Sequence, residues 1–136
     1  MNIEKSYQLY QRRPVWIALS QFYLDTELDD LQLLDILKVI YESPYSIDEV
    51  KKIDFFEVYP VLKFNTYDPA GEWEGFDEDW LIDKIEKKII GDKIFSRKLS
   101  GLRYWWAKKF TKDYWQKLDR YWNKLDQFRN KIDNDI

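Results

Sequence analysis

Six carboxylates crowd one stretch of this chain, PVLKFNTYDPAGEWEGFDEDWL at residues 60–81: Asp68, Glu72, Glu74, Asp77, Glu78 and Asp79. Three chemistries use such a set. Hard cations such as calcium or magnesium take oxygen ligands, and Glu72, Glu74, Asp77 and Asp79 with Asp68 and Asn65 are of that kind. Their spacing does not follow the calcium-loop pattern of alternating ligands, a fixed glycine and a closing glutamate, so no metal is expected. Glycoside cleavage needs two carboxylates facing each other across a cleft. Glu72 and Glu74 flank Trp73, an indole on which a sugar ring would stack. With 25 acids and seven tryptophans in 136 residues, such a triplet arises readily by chance. The third chemistry is recognition of a basic protein. Acids at a rim steer the partner in, and aromatic anchors hold it. On that reading Asp68, Glu72, Trp73, Glu74, Phe76, Asp77 and Glu78 form the partner-binding surface. The competing structural reading has Trp73 and Phe76 closing the core under the loop.

The chain contains no histidine and no cysteine. That removes serine–histidine triads, histidine bases, thiol nucleophiles, disulfides and most transition-metal sites. The expectation is therefore a non-enzymatic protein without a cofactor.

A second constellation is basic and aromatic. Arg97, Lys98, Arg103, Lys108, Lys109 and Lys112 alternate with Tyr104, Trp105, Trp106 and Phe110. Base stacking with phosphate contact is a recognised nucleic-acid mode. The alternative site is thus Arg97, Lys98, Arg103, Trp105, Lys108, Lys109 and Lys112. Against it stand the net charge of −3 and the lack of any nucleic-acid-binding motif. Residues 1–83 carry a net −11 and residues 84–136 a net +8, so the two parts can pair with each other or with a partner. No apolar run is long enough for a membrane span and none opens the chain as a signal peptide, so a cytoplasmic protein is expected.

The elements that must position these residues read as helices. Residues 3–24 form a first helix, or a helix broken near Pro14. Thr26 is a candidate cap for a strongly apolar helix over about 28–42, marked by Leu28, Leu31, Leu34, Ile36, Leu37, Ile40 and Tyr41. This reads as the central, most buried helix, stopped by Ser43-Pro44. Ser46 and Glu49 form a capping box opening a short helix. DFFEVYPVLKFNTY (54–67) is read as a helix kinked or restarted at Pro60, because a mid-run proline suits no central strand. Asp77 caps a helix over about 78–90 that ends at Gly91. Ala107, Phe110, Tyr114, Leu118, Tyr121, Leu125, Phe128 and Ile132 mark one seam of a helix of roughly 30 residues, with Trp115 and Trp122 on a flank. That seam packs on the preceding helices or on a second copy of the chain.

Four pieces together carry a resemblance: RRPVWIALSQFYLDTEL (12–28), ESPYSIDEV (42–50), EVYPVL (57–62) and AGEWEGFDEDWL (70–81). The chain resembles a family of small uncharacterised bacterial proteins with a domain of unknown function, over roughly residues 12–90. The resemblance implies a bacterial cytosolic protein from accessory or defence-type loci, and no catalytic residue to carry over. The full expectation is one all-α domain of five or six helices over 1–136, with 1–90 acidic and family-like and 91–136 basic and aromatic. It is expected to be an immunity-type inhibitor of a basic toxin or effector, as monomer or homodimer.

Overall fold

The computed structural model describes the backbone of residues 3–24, 27–63, 76–91, 108–109 and 111–135, and their side chains except those of 3–7, 91 and 128–135. Helix α1 runs Ile3–Ser20 and passes into a 3-10 turn, Gln21–Tyr23. Helix α2 is Asp30–Glu42 and α3 is Ile47–Ile53. A π-helical turn, Asp54–Val58, follows α3 directly and leads into α4, Tyr59–Leu62. Helix α5 is Glu78–Gly91 and α6 is Lys112–Asp135. Counting Ile47–Leu62 as one bent unit, the described residues form five helical units and no strand. The chain is all-α, with a long C-terminal helix.

Local rules explain most boundaries. Ser46 opens α3 with the full capping box: its hydroxyl accepts the Glu49 N–H at 3.1 Å, and the Glu49 carboxylate accepts the Ser46 N–H at 3.2 Å. Helix α2 is opened by the same device at Asp29, three residues after the expected cap Thr26, which lies outside the described residues, and it starts at Asp30 rather than about 28. Asp29 accepts the Gln32 N–H at 2.8 Å, and the Gln32 side chain accepts the Asp29 N–H at 2.9 Å. Pro14 does not break α1. It stands inside the helix, on its exposed side. Pro60 acts as expected but through a specific device. Proline has no N–H, and its ring would clash with the carbonyl four residues back. The π turn widens the backbone there, so that the Tyr59 N–H bonds the Asp54 carbonyl five residues back.

The core is centred on α1, which packs on α2, α5 and the π turn. Val15, Trp16 and Leu19 are fully buried. Helix α2 is not the most buried helix. Leu33, Ile36, Leu37 and Ile40 face inward, while Leu31 is 74% exposed, Leu34 42% and Tyr41 48%. Thirteen residues at 100° per residue cannot all face one neighbour, and the eight apolar residues of α2 are more than one face holds. The C-terminal seam is also turned from its expected setting. Trp115 and Leu118 are buried, Trp122 packs against the core, and Leu125 is exposed. No described helix is long and apolar enough to cross a membrane.

Candidate functional site

Of the acidic stretch, Asp68, Glu72, Trp73 and Glu74 lie outside the described residues. Phe76 is half-buried and stacks on Trp80, ring centroids 6.2 Å apart. Asp77 accepts the Trp80 N–H at 2.8 Å and caps α5. Glu78 is exposed in the first turn. Phe76 and Asp77 thus have structural work, Asp77 from an exposed position, and Glu78 is exposed with no such bond recorded. Asp77→Ala is expected to lower stability by about 1 kcal/mol in urea unfolding, the usual value of an N-cap, with Glu78→Ala close to neutral.

Of the basic set, Arg97, Lys98, Arg103 and Trp105 are likewise outside the described residues. Lys108, Lys109 and Lys112 come together along a groove of about 700 Å³. They face Lys51 and Asp48 of α3, with Gln116 and Asp119 of α6 along the same wall. Lys51 Nζ pairs with Asp119 Oδ2 at 2.9 Å and sits 5.8 Å over the Trp115 ring. Phe55 and Trp115 form the floor but are only 2% and 4% exposed, because they pack edge to face with each other. The rings belong to the core, and a base could not stack on them.

Beneath that floor lies a buried carboxylate that no motif of the sequence marks. Asp54, fully buried, accepts three hydrogen bonds from two other parts of the chain. The Tyr23 hydroxyl donates to Oδ1 at 2.6 Å. The Trp115 indole N–H donates to Oδ2 at 2.8 Å, and the Thr111 hydroxyl to the same oxygen at 3.2 Å. Burial pushes the Asp54 carboxyl up to about 6, while the three donors pull the other way. Burial, then the neighbouring Asp54 charge, pushes the Tyr23 hydroxyl well above its ordinary value. The signal for Asp54 was present in the sequence. It stands four residues after Val50 and four before Val58, both fully buried, on an otherwise apolar helix face. A carboxylate in that place requires donors, and the sequence does not say which ones.

One turn on, Glu57 faces α1. It accepts the Trp16 indole N–H at 2.9 Å and pairs with Arg12. Burial raises its carboxyl, with the Arg12 charge opposing. Arg13 pairs with Glu86 of α5 at 2.9 Å. Arg12 and Arg13 therefore form an internal clamp that joins α1 to the π turn and to α5. Among the described residues, no group of three or more acidic side chains is arranged to hold a metal ion.

These elements define an α-helical domain whose C-terminal helix docks through a buried carboxylate, with an acidic outer helix and a lysine-lined groove on its surface. The chain belongs to the DUF7079 family, a domain of unknown function that matches residues 10–121. Comparison with curated proteins and with solved structures finds no match. The family span reaches beyond the 12–90 carried by the sequence motifs. It takes in Tyr23, Asp54, Thr111 and Trp115, so the docked start of α6 falls within the domain.

Proposed function

We propose that this chain is a non-enzymatic binding protein, most concretely a bacterial cytoplasmic immunity-type protein that occludes a basic toxin or effector. One observation supports it above the rest. The outer face of α2 leaves Leu31 and Leu34 in solvent, with Asp35, Glu42 and one lysine, Lys38, exposed at helical spacing along the same side. Apolar anchors within an acidic rim on a rigid helix fit a cationic protein surface. In this reading Asp68, Glu72, Glu74 and Glu78 add to the same acidic character, Trp73 adds an aromatic anchor, and the net −11 of residues 1–83 steers the encounter.

The test is surface plasmon resonance against the basic partner recovered from native cells. Charge reversal at Glu72, Glu74 and Glu78 is expected to slow association most at low salt. The difference should shrink toward about 0.5 M salt, where the screening length is only a few Å. Leu31→Ala with Leu34→Ala is expected to speed dissociation at every salt, since buried anchors act on residence time. Both variants are exposed changes, and circular dichroism checks the fold. If both bind as the wild type does, the reading fails.

A second reading, association with nucleic acid through the basic C-terminal part, has its own observation: Lys108, Lys109 and Lys112 converge with Lys51 on one groove.

A further inference from the structure

We propose that this groove is a binding site for a chain of phosphates, read by charge alone. The inference narrows the second reading above. Lys108 and Lys112 stand one helical turn apart in sequence, are both exposed, and line the groove together with Lys109. Across from them Lys51 is held in place by Asp119 and by the face of Trp115. The Lys51–Asp119 pair neutralises itself, and Asp48 is the remaining carboxylate in the described lining. Lys109 aside, Lys108 and Lys112 against one aspartate leave the described lining cationic within an acidic chain.

Size and floor specify the ligand further. At about 700 Å³ the groove is larger than a single phosphate and has the dimensions of a site for an extended small ligand. A linear triphosphate fits that description, and so do successive phosphates of a nucleic-acid strand. The floor excludes recognition of the base. Phe55 and Trp115 are buried, and the Trp115 indole N–H is occupied by Asp54. Single-strand binders that read bases expose aromatic faces for stacking. Here the rings are sealed, so the lysines meet phosphate oxygens and the rest of the ligand stays outside.

The experiment titrates the full chain with inorganic tripolyphosphate, and separately with oligothymidylate and oligodeoxyadenylate of about twenty nucleotides, at low and raised salt. The comparison protein carries Lys108→Glu with Lys112→Glu, and a milder version carries glutamine at both positions. Exposed lysines make folding of both variants expected, and circular dichroism confirms it. Tripolyphosphate is expected to bind at low salt, to weaken steeply as salt rises, and to lose at least about tenfold in the reversed variant, with the glutamine variant between. The two oligonucleotides are expected to agree within about twofold, because no base is stacked. Tripolyphosphate binding without oligonucleotide binding supports the site and ends the nucleic-acid reading. Oligonucleotide binding that survives the reversal overturns the groove and leaves nucleic-acid association to another surface. Absence of tripolyphosphate binding at millimolar concentration, or a strong preference for one base, overturns the proposal.

Discussion

Asp54→Ala is expected to destabilise the protein by about 2–5 kcal/mol in urea unfolding at neutral pH. Three buried donors lose their acceptor at once: the Tyr23 hydroxyl, the Thr111 hydroxyl and the Trp115 indole N–H. A buried donor left unpaired costs about 1–3 kcal/mol. Part of that loss is offset, because the variant no longer keeps a carboxylate in a dry interior. The same change unlatches α6, since Thr111 and Trp115 belong to its docked start. Near-ultraviolet circular dichroism is therefore expected to lose tryptophan signal before the helical signal falls.

Asp54→Asn separates the hydrogen bonds from the charge. An amide offers its oxygen to Thr111 and Trp115 and its N–H to the Tyr23 oxygen, much as the protonated carboxyl does. The folded-state carboxyl is raised to about 6 from an ordinary 3.8, so the folded protein holds this proton more tightly than the unfolded chain. The contribution of Asp54 is thus fully present below about pH 4 and is lost as pH rises through 6. A shift of about two units corresponds to roughly 3 kcal/mol. Between pH 4 and pH 7 the asparagine variant is expected to gain on the wild type by up to about that amount. Urea titrations of both proteins across this range make the measurement. A flat difference across pH, or an asparagine variant as unstable as the alanine one, would show that the carboxylate is not the latch.

The second large effect lies in α2. Leu37→Ala is expected to cost about 2–5 kcal/mol, the usual range for emptying a packed site. Leu37 is 1% exposed, inside the cluster that includes Ile36 and Ile40. Leu34→Ala, three residues earlier, is expected to cost less than about 1 kcal/mol, as surface substitutions do. The contrast is diagnostic because both residues are leucines on one helix. Equal losses at the two positions would mean that another molecule, such as a second copy, covers Leu34 in solution. A dilution series by analytical ultracentrifugation would then reveal that copy.

Much of this architecture is written in local sequence. Ser46 with Glu49, Asp77 before Glu78, and Pro44 after Ser43 act within a few residues through hydrogen bonds and sterics that neighbours satisfy, so helix starts and stops can be read directly. The all-α class follows from apolar spacing in the same way. Two other matters were not legible. Which apolar side of α2 faces inward depends on where α1 and α6 lie, and Leu31 and Leu34 carry the same side chain as Leu33 and Leu37. The rotation of α6 is the clearer case. An apolar seam through Tyr114, Leu118 and Leu125 satisfies periodicity, yet Trp115 turns inward because its N–H has a carboxylate to meet on a segment 61 residues away. The sequence by itself determined the helices, their caps and the division of charge. The tertiary structure decided which residues are core, which lysines share a groove, and that Asp54 joins three segments. Burial and hydrogen bonding to a buried charge depend on partners distant in sequence, and only the packed fold brings them within 3 Å or so of one another.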